Sequence, residues 1–157
     1  MTWEEVCADP RLQNLPYRIE QDRYGRILMS PTTNRHSRLQ RVLVRVLETA
    51  LGGEAIPECN VQTSDGVKVA DVGWLSKAFV EAHGAEDTYS VAPPICVEVM
   101  SPSNLWAEME EKVTLYLAKG AEEVWICEPN GRLRFFGHEG ERGQSARVPD
   151  APATLTL

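Results

Sequence analysis

The spacing of apolar residues changes along the chain, and each change marks an element. From Asn34 to Leu51 the apolar residues Leu39, Val42, Leu43, Val46, Leu47 and Ala50 recur at helical spacing, and Gly52-Gly53 closes the helix. Arg38, Arg41 and Arg45 form a second stripe beside them, with His36 near the apolar stripe's far edge. The period then shortens towards two, predicting strands over 58–63 and 67–75 around a Ser64-Asp65-Gly66 turn. Ile95–Met100 is a short apolar strand. A helix follows over about 104–119, with Leu105, Met109, Val113 and Tyr116 on its buried face. Strands over 123–127 and 133–136 flank a turn at Pro129-Asn130-Gly131.

The outer segments are plainer. Thr2 and Glu5 fit a capping box, so a short helix opens the chain and stops near Pro10. The stretch YRIEQDRYGRILMSP predicts two strands turning around Tyr24-Gly25, residues 77–94 a helix fragment plus loop, and the tail irregular chain. This order predicts a single α/β (α+β) domain over 1–157, a mixed sheet flanked by helices. The antiparallel runs argue against a Rossmann winding, and no Gly-rich phosphate loop follows any strand.

Three polar residues break the pattern. In ICVEVMSPSN, Ile95, Val97 and Val99 share one face and Cys96, Glu98 and Met100 the other, which puts Glu98 inside the core. An unpaired carboxylate there is costly. In GVKVADVGWLS the same alternation sets Asp71 with Val67 and Val69. Two carboxylates side by side raise each other's pKa unless a cation lies between them, and all-oxygen ligands favour Mg²⁺ or Mn²⁺ over zinc. Lys112 falls on the buried face of the next helix, with Glu108 one turn before it. Each residue alone has a structural explanation. Asp71 could cap a turn or pair with a base, Glu98 and Lys112 could form a buried salt bridge, and Lys112 could snorkel to solvent. Together, two acids on adjacent elements plus a lysine recreate a known kind of catalytic set.

Composition narrows the classes. Among 157 residues, 43% hydrophobic and 25% charged is ordinary for a globular protein. No apolar run nears the ~20 residues that span a bilayer, and the first ten residues carry acids where a signal peptide has bases, so a cytoplasmic protein is expected. The four cysteines form no C-x-x-C pair, and Cys96 and Cys127 lie in apolar runs. Reduced thiols are expected, with little support for zinc or cysteine catalysis. A net charge of −7 argues against a general electrostatic grip on nucleic acid. The arginines between Asn34 and Arg45 could still supply a local docking surface.

The stretches YRIE, GRILMSPTTNRHSRL, DGVKVADVGWLS, ICVEVMSPSN, EEKVTLYLAKGAEEVWICEP and GRLRFF resemble the PD-(D/E)XK nuclease superfamily. Within it the chain is similar to the Uma-type restriction endonuclease family, formerly a domain of unknown function. The resemblance covers Tyr17 to about Phe136. It implies a restriction-endonuclease-like fold and a Mg²⁺-dependent endonuclease acting on DNA as a homodimer. Asp71, Glu98 and the backbone carbonyl of Val99 would bind the metal. Lys112 would be the motif lysine, displaced onto the helix from the position that Met100 holds here. Glu20 matches the early acidic position and would reach the metal directly or through water. His36 could contact a phosphate or merely pack, and Arg35, Arg38 and Arg41 would join it at nucleic acid. Ala70 replaces the superfamily's proline, and Glu128-Pro129 replaces the usual Asp-Pro. Two other classes stay open: a degenerate scaffold kept for binding or oligomerisation, and a hydrolase of small phosphoesters, which the acidic charge suits. Retention of Asp71, Glu98 and Lys112 argues against the first, and competition between DNA and nucleotides separates the second.

Overall fold

The predicted helix over 34–51 forms at those bounds and lies against one face of a six-stranded sheet. A computed structural model describes all of residues 1–157. Helix α1 (Trp3–Ala8) and a 3-10 turn (Pro10–Leu12) precede a hairpin, β1 (Tyr17–Gln21) and β2 (Ile27–Pro31). After α2 (Asn34–Leu51) come β3 (Glu54–Thr63), β4 (Gly66–Leu75), α3 (Lys77–His83) and β5 (Ile95–Val99). Helix α4 (Trp106–Ala118), β6 (Glu123–Cys127), β7 (Leu133–Gly137) and β8 (Gly140–Arg142) complete the chain.

The sheet runs in chain order from β3 to β8, antiparallel throughout except between β5 and β6. That pair is parallel because α4 carries the chain back across the sheet. Every residue of β5 and β6 is buried, as expected for strands covered on both faces. On one face Leu39, Leu43 and Leu47 of α2 pack with Val72, Trp74, Val97 and Trp125. On the other, Met109, Val113 and Tyr116 of α4 pack with Val61, Cys96, Val124 and Ile126. The hairpin β1–β2 is a separate two-stranded sheet, with β1 lying along β4. No helix is long and apolar enough to cross a membrane.

Several expectations shift on folding. The buried row of α2 is rotated: Ala50 is exposed, Val44 and Leu51 pack instead, and Gln40 is buried with the leucines. Leu105 is exposed, because α4 begins at Trp106 and Leu105 is only its N-cap. Glu108 turns back to accept the Leu105 N–H at 3.3 Å, so it caps the helix and does not pair with Lys112. Just before the helix, Asn104 Oδ1 accepts the Ser101 N–H at 2.9 Å and closes the turn from Ser101 to Asn104 on itself. β3 starts at Glu54, four residues early, since an edge strand tolerates Pro57. β8 adds a short strand where irregular chain was expected.

One irregularity positions the site. The β3–β4 ladder passes from Pro57↔Val72 to Cys59↔Ala70 without a Glu58–Asp71 pair. Glu58 holds a left-handed backbone, φ +54°, which is uncommon for a residue with a Cβ. Alternation restarts there. Ala70 joins the α4-side cluster, yet Val72, two residues on, joins the α2-side one. Asp71 sits at the switch.

Candidate active site

β4 and β5 pair from Trp74↔Ile95 to Val72↔Val97, and one more step of that register sets Asp71 opposite Glu98. Asp71 is fully buried and heavily bonded. Its Oδ2 accepts the Val99 N–H at 2.6 Å, and its Oδ1 meets His36 Nε2 at 2.9 Å and the Nη1 of Arg18. Its carbonyl accepts Gln40 Nε2 at 2.8 Å. The site thus ties β4 to β1, α2 and β5.

Glu98 is differently placed. Its Oε1 accepts the Tyr116 hydroxyl at 2.7 Å and Lys112 Nζ at 3.4 Å. Its Oε2 is buried without a hydrogen-bond partner, 3.8 Å from Arg18 Nη1. Glu20, reaching in from β1, accepts Lys112 Nζ at 3.2 and 3.0 Å and the Val69 N–H at 2.7 Å. Three carboxylates therefore converge on two cations, Arg18 and Lys112.

The surroundings push these groups apart. Burial, only partly offset by Lys112, raises the Glu98 carboxyl to about 8. Burial also works against the Asp71 carboxylate, but the His36 hydrogen bond and the Arg18 charge outweigh it and hold its pKa below the usual value. Glu20 is likewise lowered: burial opposes ionisation, but Lys112 and Arg18 prevail. Burial disfavours the Lys112 ammonium, yet Glu98 and Glu20 overcome this and raise its pKa. His36 follows the same logic, burial being outweighed by Asp71, so its pKa is raised.

The structure brings Asp71, Glu98, Glu20, Lys112, Val99 and His36 together. His36 and Gln40, one helical turn apart, extend the buried row of α2 into the site. Val99 enters through its N–H. The arginines lie apart: Arg35 donates to the Pro129 carbonyl at 3.1 Å, and Arg38 and Arg41 are exposed along α2. A cleft of about 460 Å³ beneath the hairpin opens onto the site, lined by bases and acids alike, among them Arg18, Glu20, Asp22, Asp65, Lys68 and Lys112.

Four residues of the site escaped the sequence analysis. Arg18 is two residues before Glu20 on one strand, so alternation could have placed both on one face. Tyr116 lies one turn beyond Lys112, and Gln40 one turn beyond His36. Glu58 had no such signal. Its side chain accepts Gln40 Nε2 at 2.7 Å, and ligand atoms of His36, Glu58 and Asp71 lie within 4.8 Å of one another.

The buried oxygen set fits a divalent ion. Glu98 Oε2 lacks a partner, it and Asp71 Oδ1 both stand around the Nη1 of Arg18, and hard oxygen donors suit Mg²⁺ or Mn²⁺.

No curated protein matches the chain. Among solved structures it is similar to one described as a "putative nuclease belonging to DUF820" from Anabaena variabilis, with a TM-score of 0.71 and 17% identity. That match covers 90% of this chain and 83% of the other, and at such low identity it establishes a shared fold. The sequence itself matches the Uma2 family, described as "Putative restriction endonuclease", over residues 3–157. With the match spanning nearly its whole length, the protein belongs to the Uma2 family of restriction-endonuclease-like proteins.

Proposed function

We propose that the protein is a Mg²⁺- or Mn²⁺-dependent endonuclease that hydrolyses phosphodiester bonds in DNA. The observation that carries this reading is Glu98 Oε2, a buried carboxylate oxygen without a hydrogen-bond partner, 3.8 Å from the Arg18 Nη1 that touches Asp71, while Lys112 holds the other oxygen. A carboxylate kept only for structure would have its oxygens satisfied.

Asp71 and Glu98 would hold the ion, with Glu20 and the Val99 carbonyl close enough in the chain's path to assist. A divalent ion so held polarises a phosphodiester and lowers the pKa of water. Lys112 Nζ, held between Glu20 and Glu98, supplies fixed positive charge where charge builds on the phosphorus oxygens. Tyr116 and Lys112 orient Glu98, and His36 and the Val99 N–H orient Asp71. Arg23, Arg26 and Lys68 also line the cleft, each paired with Asp22 or Asp65 of the same wall.

The test is calorimetric titration of Mg²⁺ and Mn²⁺ into wild type and Asp71→Asn, followed by nicking of supercoiled plasmid. Metal binding weakened at least tenfold in Asp71→Asn, with nicking by wild type alone, is the expected result. Absence of metal binding by folded wild type would overturn the reading.

A further inference from the structure

Arg18 is a cation already standing where the proposed metal belongs. Its Nη1 touches Asp71 Oδ1, lies 3.8 Å from Glu98 Oε2 and donates to the Val69 carbonyl at 3.3 Å. We propose that Arg18 is an exchangeable counter-ion, which fills the cation position between Asp71 and Glu98 until a divalent ion displaces it. This rests on the metal-binding reading above.

Three observations support exchange over a permanent salt bridge. Arginine usually engages a carboxylate through two parallel N–H groups. Here a single nitrogen serves both acids, while Arg18 Nε and Glu98 Oε2 are both buried without partners. The fork is not closed on either acid.

Charge points the same way. Ionised Asp71, Glu98 and Glu20 carry three negative charges, and Lys112 supplies one positive charge. A divalent ion in place of Arg18 balances the group, whereas the ion together with Arg18 leaves a positive excess in a buried space. Occupancy is therefore alternative.

An exit also exists. Arg18 belongs to β1, whose hairpin is separate from the six-stranded sheet, and its side chain lines the cleft of about 460 Å³. The guanidinium can swing along that cleft while β4 and β5 keep their pairing. Lys112, by contrast, is held by both Glu20 oxygens and by Glu98, so it stays.

The test compares metal binding by wild type, Arg18→Gln and Arg18→Lys, using calorimetry with MnCl₂ and melting curves with and without the ion. Arg18→Gln should bind Mn²⁺ at least tenfold more tightly, melt lower than wild type without metal, and show a larger metal-induced rise in Tm. Arg18→Lys keeps the charge but not the fork and should fall between the two. Should Arg18→Gln fail to fold, Arg18→Lys decides alone: affinity above wild type supports exchange, and equal or weaker affinity overturns it. Wild type binding Mn²⁺ with folded Arg18→Gln no tighter overturns exchange while leaving the metal site intact. Binding by none of the three removes the metal site and this proposal with it.

Discussion

Glu98 and Glu123 lie on the adjacent parallel strands β5 and β6, and each is only 1% exposed. Glu123 Oε1 accepts the Ala146 N–H at 3.1 Å and its Oε2 the Arg147 N–H at 3.0 Å, with Arg142 Nη1 3.9 Å away. Its carboxylate pins the C-terminal segment to the sheet, and both oxygens are used. Glu98 has one oxygen bonded by Tyr116 and Lys112 and one left without a partner. Depth alone therefore does not mark a functional acid. The unpaired oxygen is what separates these two acids, because a buried polar atom without a partner is costly unless another group occupies its site.

Substitutions at the two positions should separate these roles. The largest effect is expected from Glu98→Gln. Plasmid nicking should fall at least ~1,000-fold, on the order of 4 kcal/mol of transition-state stabilisation. The fold should persist, since the amide still accepts from Tyr116. Circular dichroism and nicking rates measured on the same sample check both halves. Nicking at the wild-type rate would erase the distinction drawn here.

Glu123→Ala should do the reverse. It removes a charged acceptor from two part-buried backbone hydrogen bonds, at a cost of about 3 kcal/mol. For a domain of this size that lowers Tm by roughly 6–12 °C. Nicking below the melting transition should persist. A loss of activity with unchanged Tm would reverse the roles of the two acids.

The pH dependence sharpens the contrast. The Glu98 carboxyl is raised to about 8 from an ordinary 4.5. A raised carboxyl contributes stability that is full below about 4.5 and is lost as pH climbs through about 8. In metal-free buffer, wild type should therefore lose Tm relative to Glu98→Gln between about pH 5 and pH 8. Asp71 and Glu20 act in the opposite sense, since their pKa values are lowered and their contribution fades only as pH falls. Parallel melting curves for the two proteins across that window would mean that burial does not raise the Glu98 carboxyl.

The smallest effect belongs to Tyr116→Phe, which removes the shortest hydrogen bond to Glu98. About 1 kcal/mol is expected, appearing as a roughly fivefold loss of Mn²⁺ affinity by calorimetry. An unchanged affinity would mean that Lys112 and packing suffice to aim the carboxylate.

The helix over 34–51, the strand carrying Glu98 and the lysine on the next helix were legible because each depends on periodicity within one segment. Glu98 and Lys112 also stood out by being charged in apolar surroundings, and family resemblance added Glu20, His36 and the Val99 carbonyl. Glu123 gave no comparable warning. It opens its strand, where an acid is unremarkable, and its partners Ala146 and Arg147 lie in a tail with no pattern of its own. The pairing of Lys112 was legible only in part. Its contact with Glu98 forms, but the helical neighbour Glu108 turns away and the ammonium also reaches Glu20, 92 positions away.

By itself the sequence determined which elements form and which buried acids and lysine share the site's strands and helix, since alternation and helical period are local properties of the chain. Tertiary structure alone decided that Arg18 stands between Asp71 and Glu98, that Glu58 turns left-handed opposite Asp71, and that one Glu98 oxygen goes unpaired while both of Glu123 are used. Those outcomes depend on contacts across distant segments, such as Arg18 with Asp71 over 53 positions, and no period within a strand encodes them.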